Sequence, residues 1–393
     1  MKVCLVTDFA KTGGAATAAD RIARIFFENG CKVDRISSDG CSDSPFTEHV
    51  LDVSRKLKIL SMLSNHSIVS HFMPNLRKKD LIHQLSKKLS LINPDWINLH
   101  NFHGANWPME MAEIASKQSP TSWTLHDCST FLGSYYPSHC PKASSLKKDE
   151  LKTFWSGLSK KKLKNALSFI APSHWMDKAA KQGYWKKHLS SVIPYPIFSE
   201  FSPHSNREAC KHALGVAQKT ITILASAGNL NEPRKGGEIL QRIIYDNNFK
   251  DIQFLLLGKF ISENGSSENV RSLGFIQDDE LKRIAYCAAD LTLHPAPVDN
   301  LPNTVIESIA CNTPVLGFNT GGLPDMVIPN KTGWLVDKIC FDAISQKLAE
   351  IIKLRAFASK ELSFSFHTAK LFDPSNVFDR YREHFHLLKA EKP

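Results

Sequence analysis

Two carboxylates, Asp299 and Glu307, stand eight positions apart in the stretch VDNLPNTVIESIACNTPVLGF. Between them a loop opens a helix: Pro302 suits a helix start, where its missing N–H costs nothing, and Asn300 or Asn303 suits the cap. A free helix N-terminus carries unpaired N–H groups and partial positive charge, a ready site for phosphate. Carboxylates beside such a site are poor phosphate ligands but good acceptors for hydroxyls, so the pair predicts a ligand with both phosphate and sugar. Taken alone, the two acids are better explained as a solvated loop charge and a helix-start charge, so their company decides.

That company is threefold. In ASAGNLNEPRKGGEIL a strand runs into Arg234 and Lys235, followed by Gly236-Gly237 and a helix. Adjacent cations at a strand's C-terminal end can neutralise a departing diphosphate, although an Arg-Lys pair by itself is usually surface. In TDFAKTGGAATAAD, Gly13 and Gly14 let backbone approach a ligand, and the next helix start is another anion site. The spacing is not the G-x-G-x-x-G dinucleotide fingerprint. Finally His126 closes the apolar run WTLHD, where it is either a polar group of the cleft or a satisfied structural histidine.

The elements that must position these groups alternate along the chain. KVCLVTDF, CKVDRIS and the runs at 95–102, 121–127, 168–173 and 191–196 read as strands, with helical segments between them. A Pro-, Ser- and aromatic-rich linker at 194–206 follows, and the alternation resumes with strands at 219–228, 252–259, 270–275, 290–296, 313–318 and 332–337. Strands alternating with helices predict parallel doubly wound sheets, with ligands at the strands' C-terminal ends and between domains. The expected division is a basic domain over 1–195, a second over 196–370, and a C-terminal helical segment, 371–393, packing back across both.

Composition narrows the class. At 393 residues and 42% hydrophobic, the chain reads as soluble with two cores. Nine cysteines lack a CxxC pair, which suits a reducing compartment rather than a disulfide framework or zinc site. No signal-peptide shape or membrane-length apolar run is visible, so a cytoplasmic location is expected. Of the net charge of +10, the whole excess lies in residues 1–200, with 27 Lys and Arg against 17 Asp and Glu, while residues 201–393 hold 22 of each. A basic half suits an anionic lipid, an anionic substrate or plain solubility. Within 54–92, Leu81, Ile82, Leu85, Leu89 and Ile92 oppose Arg77, Lys78, Lys79, Lys87 and Lys88 at helical spacing. This is either a membrane-surface face or an ordinary domain helix with a solvated basic side.

In order, GGAATAA, SWTLHDCSTFLG, APSHW, NLNEPRKG and DNLPNTVIESIACNTPVLGFNTGGLPDMV resemble the motifs of the family 4-type retaining glycosyltransferases. The wording around SWTLHD is nearest the polysaccharide and colanic-acid-biosynthesis subgroup. The resemblance implies an α/β GT-B fold, two Rossmann-like domains facing across a cleft, and transfer of a sugar from a nucleotide-sugar donor with retention. It implies that Lys235 and Arg234 hold the donor diphosphate, that Asp299 binds donor-sugar hydroxyls, and that Glu307 binds the ribose. The N–H groups of Asn300, Leu301, Pro302 and Asn303 are expected at the distal phosphate, and Gly274, Phe275 and Ile276 at the base. Gly13 and Gly14 are placed near the phosphates and His126 near the transferred sugar. Four positions depart from the family pattern: Asp299 and Asp325 stand for Glu, Asn229 for an Arg that Arg234 would replace, and Tyr195 for Asn. They imply altered donor choice or weak activity.

No DxD motif stands in a suitable place, so neither metal nor other cofactor is expected. The expected partners are a nucleotide-sugar donor and a glycan, lipid-linked or protein-linked acceptor, with peripheral contact to an anionic membrane and no nucleic acid. Two alternatives use the same pocket: a nucleotide-sugar epimerase, and a degenerate sugar-nucleotide-binding regulatory partner.

Overall fold

β1 (Lys2–Val6), KVCLV with its last four residues buried, lies in the interior of the first sheet, third of seven strands. We describe a computed structural model, covering residues 1–55, 57–59, 67–133, 152, 154–157, 166–262, 267–358 and 370–391. β2 (Lys32–Ser37), β3 (Thr47–Val50), β4 (Trp96–Leu99), β5 (Thr121–Thr124), β6 (Leu167–Ala171) and β7 (Ser190–Val192) complete the sheet in the order β3-β2-β1-β4-β5-β6-β7. All its pairings are parallel. The second sheet, also parallel, joins β8 (Thr222–Asn229), β9 (Gln253–Lys259), β10 (Val270–Gly274), β11 (Leu291–His294), β12 (Val315–Phe318) and β13 (Gly333–Val336). Its order is β10-β9-β8-β11-β12-β13. The central strands β1, β4 and β11 are buried almost throughout, as is the first half of β8, because helices cover both faces of each sheet.

Nine helices matter to the argument: α1 (Gly14–Glu28), α2 (Ser67–Ile92), α3 (Met111–Gln118), α4 (His174–Lys181), α5 (Gly237–Ile244), α6 (Asp279–Ala288), α7 (Asn303–Ala310), α8 (Phe341–Leu354) and α9 (Pro374–Ala390). In each sheet the strand order reverses once, between β1 and β4 and between β8 and β11. Loops leaving these strands diverge to opposite faces, and the crevice between them is where such sheets take ligands.

Two features of the sequence reading change. β3 (TEHV) is a short, half-exposed edge strand without an apolar run, so no periodicity announced it. In α2, Leu81, Leu85, Leu89 and Ile92 are buried in the first domain's core with Ile82 packed against it, which overturns the membrane-surface reading of that face. Lys56 and residues 60–66 of that segment, and Lys142, Lys147, Lys148, Lys160, Lys161, Lys162 and Lys164 of the basic half, lie outside the described residues.

The last helix returns to the first sheet. Tyr381 of α9 is fully buried against Phe26 and Trp96, and the His384 ring shares hydrogen bonds with Ser122, Ser168 and Ser191. Before the helix, the Phe372 carbonyl accepts from the N–H of Ile197 in the linker.

Candidate active site

The loops after the four switch-point strands converge. β8 ends in Gly228 and Asn229; after β11 comes Asp299, after β1 Asp8, and after β4 Asn101 and His103. All line one cavity of about 540 Å3 between the domains. A wider groove of about 1060 Å3 runs along α9, but its lining carries none of the groups under discussion.

Lys235 reaches the cavity because the chain turns sharply after β8. Residues Pro233–Lys235 form a 3-10 turn, and Gly236 follows at φ 75°. A Cβ there would stand 2.1 Å from the Pro295 carbonyl oxygen, so only glycine lets α5 start so close to the β11 loop. The Lys235 ammonium then pairs with Asp299 Oδ2 at 2.5 Å. Burial alone would raise the Asp299 carboxyl; Lys235, then His294 and Arg234, outweigh it and hold the group well below the usual carboxylate range. His294, buried beside this pair, is pushed down to about 4 by that burial and is neutral at pH 7. Arg234 lines the cavity too, its guanidinium bonded to Glu232 at 3.0 and 3.4 Å.

The glycine turn at 321–322 supports Asp299 from beneath. Gly322 donates its N–H to the Asp299 carbonyl, and a Cβ on it would stand 1.6 Å from the Asn300 carbonyl oxygen. Asp325 crosses the cleft, its Oδ2 accepting the His174 N–H at 2.7 Å where α4 begins.

The helix start between the two acids differs from expectation in its details. The cap position of α7 is Pro302, not Asn300 or Asn303, and no side chain caps the helix. Asn300 instead crosses to the first domain: its Nδ2 donates to the Leu125 and His126 carbonyls, and its Oδ1 accepts from Ser173 Oγ. Two of the four N–H groups expected at a phosphate are also unavailable. The Asn300 N–H donates to Asp299 Oδ1, and Pro302 has none. An anion at this end of α7 would meet Leu301, Asn303 and Thr304, all of which line the cavity. Gly13, at φ 94°, precedes α1, also without a side-chain cap, and lines the opposite wall with Gly14.

Glu307 is brought near but not onto this wall. Its carboxylate is buried and absent from the cavity lining; Oε1 accepts from Arg21 at 2.6 Å and Oε2 from the Tyr286 hydroxyl at 3.0 Å. Phe275 and Ile276 are not brought in either: Phe275 is 66% exposed and Ile276 packs against the core.

His126 lines the cavity with both ring nitrogens committed, Nε2 to His100 Nδ1 at 2.8 Å and Nδ1 to the Tyr195 hydroxyl at 2.6 Å. Burial pushes it down to about 4, so at pH 7 it is a neutral positioning group rather than a proton carrier. Tyr195, the departure from the family pattern, is thus the partner that fixes this histidine.

Sequence reasoning missed the rest of the first domain's wall: Asp8, Asn101, His103 and Asp127. His103 Nε2 meets Asp127 Oδ2 at 2.7 Å. Burial would lower His103, but the Asp127 bond and charge raise it overall, and the same pair lowers Asp127. Burial raises the Asp8 carboxyl. Each of these side chains follows a strand's C-terminal end, a signal that TDF, NFHG and LHD carried. Among the described residues, no group of three or more His, Cys, Asp or Glu side chains is placed to ligate a metal ion.

Comparison with known proteins bears on the fold and on the second domain's family likeness. Residues 220–363 match the family model described as glycosyl transferases group 1. The phosphatidylinositol N-acetylglucosaminyltransferase GPI3 subunit of Saccharomyces cerevisiae (strain YJM789) is 24% identical over 205 residues, covering 49% of this chain and 44% of the relative. The D-inositol 3-phosphate glycosyltransferase of Mycobacterium sp. (strain KMS) is 32% identical over 163 residues, 38% of this chain and 36% of the relative. The matched region therefore spans less than half the length of these relatives. Sucrose-phosphate synthase from Thermosynechococcus elongatus superposes with a TM-score of 0.74 at 18% identity, covering 100% of both chains. Anabaena HepE in complex with UDP superposes at 0.72 and 17% identity, covering 98% of this chain and 100% of the other. The fold is GT-B: two parallel-sheet α/β domains of seven and six strands facing across a cleft.

Proposed function

We propose that this chain is a retaining glycosyltransferase that moves a sugar from a nucleotide-sugar donor to an acceptor hydroxyl, in polysaccharide or glycoconjugate assembly. The observation that carries the reading is the Lys235–Asp299 pair, 2.5 Å apart, beside the uncapped start of α7 in the interdomain cleft. The group 1 match over 220–363 supports it, as do the glycosyl-transfer activities for which both relatives are named. Binding of UDP and of UDP-glucose by HepE supports a nucleotide-sugar donor.

In the proposed reaction the bond from the anomeric carbon to the phosphate oxygen breaks and one to the acceptor oxygen forms on the same face. The acceptor's proton passes to the departing phosphate. Lys235, Arg234 and the N–H groups of α7 and of the Gly13-Gly14 turn stabilise the negative charge on the diphosphate, and the closed cleft excludes water. Asp299, held ionised, accepts from a sugar hydroxyl. No metal or other cofactor takes part, since the sequence has no DxD segment in a suitable place.

The acceptor is a glycan or a lipid-linked or protein-linked sugar, met in the cytoplasm at an anionic membrane surface; inositol-containing acceptors enter the list through the relatives' names. Among the described residues, no helix is long and apolar enough to cross a membrane.

The test is a screen for nucleoside diphosphate release from UDP-, GDP- and ADP-sugars, with and without EDTA, followed by mass spectrometry of the products. Release from one donor class, undiminished by EDTA and abolished in Lys235→Ala, is expected. Epimerised donor without product glycan, or no release from any donor, would overturn the reading.

A further inference from the structure

The start of α1 and the start of α7 belong to different domains, yet both are uncapped by side chains and both face the same cavity. The residue that ties them together, Arg21, lies outside the cavity lining. Arg21, two turns into α1, is buried with 8% of its side chain exposed. Its Nη2 donates to Glu307 Oε1 at 2.6 Å and its Nη1 to Asn303 Oδ1 at 3.3 Å. Asn303 in turn donates from Nδ2 to the Gly14 carbonyl at 2.9 Å, and Tyr286 holds the other Glu307 oxygen. The guanidinium lies over the Phe201 ring of the linker, 5.2 Å from its centroid.

We propose that Arg21 is a positioning residue, one that assembles the diphosphate site from its two halves by tying Glu307 and Asn303 of α7 to the glycine turn of α1. The inference rests on the nucleotide-sugar reading above. Its physical basis is that oriented N–H groups stabilise a phosphate only when their spacing matches the anion, and here the spacing spans two domains. A guanidinium supplies what this needs, because its planar fork holds two acceptors in fixed directions at once, whereas an ammonium holds neither direction firmly. The same contact couples binding to closure: an anion seated between both helix starts favours the arrangement in which Arg21 meets Glu307, and that contact in turn favours the anion.

The experiment compares the wild type with Arg21→Met, Arg21→Lys, Glu307→Gln and the double variant Arg21→Met/Glu307→Gln. Calorimetry measures the affinities of UDP, GDP and ADP against their monophosphates, and hydrogen exchange is followed in the free protein. Arg21→Met is expected to weaken diphosphate binding roughly tenfold, as the assembled arrangement becomes a minor state. Monophosphate binding should fall less, and amide exchange should quicken at both 13–17 and 301–305. Arg21→Lys should fall between. The double variant buries no unpaired charge and so keeps the comparison available if Arg21→Met folds poorly; it is expected to stay weak for diphosphate. Full recovery of diphosphate affinity in the double variant would overturn the proposal, because Arg21 would then merely neutralise Glu307. Unchanged exchange at both segments in Arg21→Met would overturn it equally. If the wild type binds no nucleoside diphosphate, the nucleotide-sugar reading falls, and the exchange pattern still decides whether Arg21 joins the two helix starts.

Discussion

Replacing Lys235 by methionine removes the countercharge of a carboxylate that is 5% exposed while leaving the hydrocarbon stem nearly intact. The Asp299 side chain then has burial raising its pKa, while His294, neutral at pH 7, Arg234, already bonded to Glu232, and the Asn300 N–H remain beside it. Breaking a buried ion pair by deleting one partner costs about 3–5 kcal/mol. Because Lys235 retains 20% side-chain exposure, the low end, about 3 kcal/mol, is expected at pH 7. The sign with pH follows from the direction of the shift. Asp299 has a depressed folded pKa, so in the wild type its contribution is complete above the unfolded value near 3.9 and is lost as pH falls through the lower folded value. In Lys235→Met the carboxyl protonates more readily, so the stability deficit is largest at neutral pH and shrinks toward pH 4. Urea denaturation of both proteins at pH 7 and pH 4 reads this difference. Activity should fall about 10²–10³-fold, the usual cost of losing one stabiliser of developing charge. Adding Asp299→Asn should restore much of the stability at pH 7 but none of the activity. A deficit of equal size at both pH values, or activity within threefold of the wild type, would refute the reasoning.

Further outcomes are expected elsewhere in the cleft. Asn300→Ala leaves the Leu125 and His126 carbonyls without their donor and should cost about 1–3 kcal/mol by denaturation, with quicker hydrogen exchange where the domains meet. Gly322→Ala drives a methyl into the Asn300 carbonyl, so a loss of at least ~2 kcal/mol and of activity together is expected, and an active variant of wild-type stability would contradict the packing. His103 should titrate above its ordinary 6.5 by NMR and lose that elevation in Asp127→Asn. The stability it contributes is then complete below pH 6.5 and disappears as pH rises through the folded value, a slope that the Asp127 variant should flatten.

Much of the molecule was legible in the sequence because the relevant signals are local. Apolar runs alternating with helical periodicity gave two parallel-sheet domains, and an Arg-Lys pair or a Pro before a helix marks a strand end or helix start whatever surrounds it. Lys235, Asp299, Gly13 and Gly14 were accordingly found where they line the cavity. β3 escaped because an exposed edge strand has no apolar face to betray it. The apolar stripe of α2 was visible, but whether it faced lipid or core depends on what packs against it, which one helix cannot say.

Partner choice is the part that only the tertiary structure decided. Nothing local distinguishes a glutamate that faces a ligand from one clasped by Arg21, 286 positions away in sequence, or an asparagine that caps its own helix from one that bonds carbonyls in the other domain. The same holds for His126, whose neutrality comes from burial beside His100 and Tyr195 rather than from its place after a strand. Sequence determines which groups are present and which strand ends carry them. Their charge state, and whether they face a ligand or one another, follow from desolvation and from contacts across the cleft, which exist only once both sheets have folded and closed.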